Sequence, residues 1–255
     1  LTQRAHVEFV PKHLPLDDRS VDALTDVERD GLARHWSRRA QSERRIGSAF
    51  ANLLPRMRAA GAAPIVLERL ALASGDEHRH SEICRLLASH YAGRALPELE
   101  PEAAPLQHFG SGDERVELAL LVAGTCCINE ALATVFLRES LRAARTPLAR
   151  EANRLHLREE INHARLGYAH LASSQLDVER RALLGEHLPY LLAANVPLWL
   201  APDPFIPEAG IADHGQPARS VLNGAIVRAV RELVLPGFVH VGVPVDATLA
   251  EREWQ

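Results

Sequence analysis

Glu77-His78-Arg79-His80 is a Glu-x-x-His unit, and it recurs as Glu160-Ile161-Asn162-His163, with His156 one helical turn before the second glutamate. Residues i and i+3 share a helix face, so each unit offers a carboxylate and an imidazole to the same neighbour. Working outward, Glu43 precedes the first unit and Glu130 the second, giving the order Glu, Glu-x-x-His, Glu, Glu-x-x-His. A four-helix bundle that binds two metal ions uses one glutamate from each of two helices and a Glu-x-x-His pair from each of the other two. The reading is an all-α chain: a ferritin-like four-helix bundle of two antiparallel hairpins joined by a crossover, with extra C-terminal helices.

Helical periodicity places the acids inside. Trp36, Ala40, Glu43, Gly47, Phe50 and Leu54 step by three and four, so Glu43 interrupts an apolar stripe. Val66, Leu70, Ala73, Glu77, His80, Cys84, Leu87 and Tyr91 form a second stripe, and Val116, Leu120, Ala123, Cys127, Glu130, Thr134, Leu137 and Leu141 a third. Ala149, Ala152, His156, Glu160, His163, Gly167 and His170 make the fourth. An ionised carboxylate in an apolar interior costs several kcal/mol unless it is paired or binds a metal. Four such groups would exhaust a net stability of about 5–15 kcal/mol. Lys and Arg are absent from the stripe positions, so two divalent cations are the natural counter-charge.

The punctuation fits this arrangement. Residues 1–24 read as an N-terminal arm, 25–176 as the di-metal bundle and 177–255 as a helical extension packed on it. Thr25-Asp26-Val27-Glu28 is a capping box for a first helix to about Ala59, and Pro64 opens a second to about Tyr91. Prolines and glycines in 92–112 mark the crossover, Ser111-Gly112-Asp113-Glu114 reads as a second capping box, and Thr146-Pro147 opens the fourth helix. A fifth helix is predicted over Asp177 to Asn195, then a proline-rich loop, a sixth helix from about Pro217 to Leu235, and an apolar run from Gly237 to Val245 lying against the bundle.

Composition narrows the function. With 47% hydrophobic residues and a net charge of −4, the chain can bury a full core and carries no basic excess for nucleic acid. Three cysteines make no disulfide framework, no charged-then-apolar leader opens the sequence, and no apolar run reads as a membrane span, so the expectation is a cytoplasmic protein. Carboxylate and imidazole donors without thiolate suit iron, with manganese as the alternative, better than structural zinc. Glu77 and Glu160, beside the histidines, are the expected bridging carboxylates, and Glu43 and Glu130 the terminal ones. His156 has Ala73 as its counterpart, so one metal carries an additional imidazole.

The ligand series Glu43, Glu77, His80, Glu130, His156, Glu160 and His163 resembles that of the AurF-like p-aminobenzoate N-oxygenases, di-iron proteins on a ferritin-like bundle that oxidise arylamines toward nitro compounds. The resemblance covers roughly residues 25–245. It implies two iron ions, O2 as co-substrate, a small-molecule amine as substrate and N-oxygenation as the reaction. Gly110-Ser111-Gly112 lacks the rest of a dinucleotide fingerprint and no Cys-x-x-Cys is present, so electrons are expected from an external ferredoxin or reductase. The other readings are a di-iron oxidase or hydroxylase acting on C–H bonds, a ferritin-type metal store and a metal-free helical interaction protein. Oligomeric state is open, a homodimer among the options.

Overall fold

The computed structural model describes residues 14–100, 104–252 and 254. Thr25 starts the first long helix as the sequence predicts: its side chain accepts from the Glu28 N–H, and the Glu28 carboxylate accepts from the Thr25 N–H at 2.9 Å. Helix α1 (Asp26–Ala59) then runs antiparallel to α2 (Pro64–Ala92), which begins on Pro64 and ends on Gly93 in the left-handed conformation (φ 63°). The crossover is clamped onto this hairpin by Arg44, donating to Leu99 O at 2.6 Å, and by Asn52, donating to Ala104 O at 3.0 Å.

The second hairpin starts differently from expectation. Asp113, not Ser111, caps α3 (Glu114–Val122) by accepting from the Arg115 N–H at 2.8 Å. Glu117 reaches back to the backbone N–H groups of Phe109 and Ser111, so the acid of the box sits one turn later. After α3 comes a π-helical turn, Ala123–Asn129, and then α4 (Glu130–Ala143). Helix α5 (Pro147–Leu171) has Thr146 at its N-cap, but the threonine side chain makes no cap hydrogen bond. Asp18 from the N-terminal segment supplies it: one oxygen accepts from Leu148 N and the other from Ser20 N, both at 2.9 Å.

Helix α1 packs along α2, α2 against α5, and α5 against α4 and the π turn, which leaves α2 and α5 facing each other. The predicted all-α class holds, with no strand among the described residues beyond the isolated bridge between Ile211 and Gln216. Helix α6 (Val178–Leu200) overruns its expected end at Asn195 despite Pro197. Leu184, Leu188, Leu191, Leu192, Val196 and Leu200 keep one face buried, and that packing outweighs the missing donor. The predicted sixth helix is α7 (Arg219–Ala229), a second π-helical turn, Val230–Val234, and α8 (Leu235–His240); α9 (Thr248–Glu251) closes the element order. Val241 and Val243 are buried in the same core as α4 and α6, as expected of the terminal apolar run.

Against the expectation that no stretch is long and apolar enough for a membrane, Glu114–Ala143 matches a span by length and hydropathy. Its most apolar window is 72% buried against the other helices, which accounts for that composition. Of the expected N-terminal arm, residues 1–13 lie outside the described residues, and the rest includes a short 3-10 helix, Arg19–Ala23.

Asp18 ties the N-terminal segment to α5, so Asp18→Ala should lower stability by about 1–2 kcal/mol, the usual cost of a lost cap. Asp18→Asn, which keeps an acceptor, should recover most of it. Chemical denaturation of the three proteins checks this, and equal stability of Asp18→Ala and the parent would rule out a capping role.

Candidate metal centre

All four predicted glutamates and all three predicted histidines are buried. Six of the seven arrive by the mid-helix placement that the stripes imply. Close approach of the helices depends on two glycines. A Cβ on Gly47 of α1 would stand 2.8 Å from His78 Nδ1 and 3.0 Å from the Glu77 Cβ, and one on Gly167 of α5 would stand 2.6 Å from the Cys126 Cβ.

Glu130 needs the π turn. Its N–H bonds Thr125 O, five residues back, so one extra residue is accommodated and everything after it is rotated by about 100° relative to a regular helix. Asn129 is fixed from outside, donating to Asn195 Oδ1 at 2.6 Å and accepting from the Trp199 indole at 2.9 Å.

The donor atoms fall into two groups, each within 4.8 Å: Glu43, Glu77, His80 and Glu160, and Glu77, Glu130, Glu160 and His163. Glu77 and Glu160 belong to both. His163 Nδ1 lies 2.9 Å from an oxygen of each shared carboxylate, and His80 Nδ1 lies 3.3 Å from Glu160 and 3.6 Å from Glu77. Both Glu77 oxygens, one Glu130 oxygen and His80 Nδ1 are buried without a well-formed hydrogen bond. Such atoms are costly unless something else occupies them, and their chemistry, oxygen and imidazole nitrogen, fits a pair of divalent cations.

His156 is placed differently from the other six. It belongs to neither group, its ring centroid lies 4.5 Å from that of His80, and both its ring nitrogens are buried and unpartnered. Burial, with the charge of His80 and Arg39 adding to it, drives its pKa well below the usual imidazole value in spite of Glu160 and the His80 backbone, so the ring is neutral and keeps a lone pair.

The outward nitrogens show what the sequence reading missed. His80 Nε2 donates to Glu159 at 3.0 Å and His163 Nε2 donates to Asp76 at 3.2 Å, so the acid before each Glu-x-x-His unit orients the histidine of the other helix. This turns both Nδ1 atoms inward, the arrangement by which outer carboxylates fix the tautomer of a metal-binding histidine. Arg79 joins the two carboxylates, pairing with Asp76 and lying 3.3 Å from Glu159. The signal was present as a doubled acid, Asp76-Glu77 and Glu159-Glu160.

An arginine also reaches the cluster although none lies on the stripes. Arg39, one turn before Glu43, donates to its carboxylate at 2.8 Å. Glu43 nevertheless has its carboxyl raised to about 7, because burial and the nearby Glu77 and Glu160 outweigh Arg39. Burial and the same two neighbours push Glu130 well above the carboxylate range. Burial acts against Glu160 as well, but hydrogen bonds and charge from His163 and His80 overcome it and hold its pKa well below the ordinary value. Burial would depress His80 and His163, yet their carboxylate partners raise both far above an ordinary imidazole.

Without metal, His80 and His163 hold protons at neutral pH and Glu130 and part of Glu43 are protonated, so a divalent ion must displace them. Affinity for Mn2+ should rise with pH between about 6 and 8, with release of at least the two imidazole protons on full loading. Calorimetry in buffers of different ionisation enthalpy measures this, and pH-independent affinity would contradict the ligand set. Because Glu77 is shared, Glu77→Ala should lower occupancy at both positions; a variant that still binds two ions would rule out a shared carboxylate. Comparison of the chain with protein-family models, with curated proteins and with solved structures returns no match.

Proposed function

We propose that the chain is a non-haem di-iron oxygenase on a ferritin-like bundle that inserts oxygen at the nitrogen of a small amine, of arylamine type. The observation that carries the reading is the pair of four-donor groups sharing Glu77 and Glu160, which suits two ions held side by side. In this reading Glu43 and His80 complete one position, and Glu130 and His163 the other. Iron suits the donors, with manganese as the alternative.

Iron held by Glu43, Glu77, His80, Glu130, Glu160 and His163 would supply redox chemistry toward O2. The chain's part is to hold and isolate. Asp76 and Glu159 lock the two histidines, Phe50 closes edge-on over His163 at 5.8 Å between ring centroids, and Cys126 and Leu166 line the adjacent core. Burial raises the pKa of Cys84, Cys126 and Cys127, so all three stay as neutral thiols and compete weakly for metal.

His156 supports N-oxygenation over a generic di-iron reaction. A neutral, unpartnered imidazole beside His80 is available as a seventh donor to the Glu43 position, in keeping with the seven-residue series of the p-aminobenzoate N-oxygenases. Electrons come from an external ferredoxin or reductase.

The iron-loaded protein, given reductant, O2 and aminobenzoates, should form hydroxylamino or nitro products. His156→Ala should keep most of its iron yet lose N-oxygenation about 10-fold or more. Product analysis with iron quantitation decides it. Exclusively C-hydroxylated products would favour the hydroxylase reading, and iron accumulation without turnover a storage role.

A further inference from the structure

Arg219, Asn223, Val227 and Arg231 step by four along α7 and into the π-helical turn that follows it, while Ala225, Ile226, Ala229 and Val230 are buried in the core. The first set lines a cleft of about 610 Å³, together with Leu200 at the end of α6 and Trp254. Gly224 and Arg228 belong to the same wall, and a Cβ on Gly224 would stand 3.5 Å from Arg228 Nη1, so the arginine folds back over the glycine. Clefts that hold a small organic ligand span about 300–1,000 Å³, and this one falls within that range. None of the seven candidate metal ligands lines it.

The wall is rich in donors and poor in acceptors. Arg219 is fixed in place, its Nη1 donating to Glu208 at 2.7 Å and its Nη2 to Leu200 O at 3.2 Å. Arg228 and Arg231 are exposed and have no ion pair among the described residues, so two of the three guanidinium charges are unopposed. Asn223 is the only side chain among these lining residues that can accept a hydrogen bond. Two further donors, Arg219 Nε and Trp254 Nε1, are buried and unpartnered, the indole on a residue only 9% exposed. Arg252 lies over that indole, 4.9 Å from the ring centroid, and adds positive charge beside it. A wall of this kind calls for a ligand that brings acceptors and negative charge.

We propose that this cleft binds a small organic phosphomonoester whose body is a flat ring. A phosphomonoester carries about −1.5 to −2 charge at neutral pH and three acceptor oxygens, which matches the two free guanidinium groups of Arg228 and Arg231. A single carboxylate would leave one of those charges uncompensated. Leu200, Val227 and Trp254 give the same cleft an apolar wall, which inorganic phosphate alone would leave uncovered and a ring would fill. Binding here needs neither iron nor turnover, so the inference stands apart from the oxygenase reading.

Calorimetric titration of the whole chain at low ionic strength tests this with AMP, flavin mononucleotide and phenyl phosphate, and with adenosine and inorganic phosphate as the two halves of the chemistry. At least one of the three esters should bind one per chain with a Kd of about 1 mM or tighter, and their order separates a nucleotide from a simple aryl phosphate. Adenosine and inorganic phosphate should each bind about tenfold more weakly, or worse. Combining Arg228→Gln with Arg231→Gln changes two exposed side chains, so the double variant should keep the parent's circular dichroism and bind the ester about tenfold more weakly or worse. No ester binding with a Kd below about 5 mM would overturn the proposal, as would parent affinity in the double variant. Inorganic phosphate binding as tightly as the esters would overturn it too, leaving an adventitious ion only.

Discussion

Four carboxylates that converge inside a helical core set the terms for everything around them. Their mutual repulsion and lost hydration must be offset on the spot, since a domain's net stability of about 5–15 kcal/mol leaves little to spare. In the metal-free chain the offset comes from Arg39 on Glu43, from protons on Glu130 and part of Glu43, and from the charged imidazoles of His80 and His163. A divalent ion entering the cluster would displace those protons, so its uptake would exchange cations in a site already built, in place of the folding of a new one.

The two halves of the centre are related by a cross-pairing. Asp76 on α2 steadies His163 on α5 and Glu159 on α5 steadies His80 on α2, so neither helix can slide without disturbing both imidazoles. Beyond that shared frame the halves diverge. The Glu43 side has Arg39 and His156, whereas the Glu130 side has Phe50, Cys126 and Leu166. Polar chemistry is therefore concentrated next to one position, and the asymmetry first visible as His156 against Ala73 extends well past that one residue.

Much of this was legible because mid-helix burial follows periodicity. Glu43, Glu77 and Glu160 each sit where a stripe of three and four places them, and the hairpin boundaries at Thr25, Pro64 and Pro147 follow local turn chemistry. What escaped depends on contacts that the spacing of apolar residues does not carry. Asp18 caps α5 across the chain, and Arg39 lies off the apolar stripe yet bends its long side chain onto Glu43. The π turn before Glu130 is likewise invisible to a three-and-four count. Asp76 and Glu159 carried a readable signal, but their partners are on the opposite helix, and a pattern confined to one helix cannot assign them.

The extension after α5 would be surplus to a minimal four-helix metal site, and its contacts explain its presence. Asn195 and Trp199 of α6 grip Asn129, the last residue of the π turn, and so fix the register in which Glu130 enters the core. A few residues later Asp203 reaches α1 and orients His35 on the opposite flank. One stretch of about ten residues therefore contacts both the residue before Glu130 and the helix that carries Glu43. Loosening it would release the π turn on one side and the buried histidine on the other, so the extension braces two of the helices that carry candidate ligands, although none of the seven lies within it.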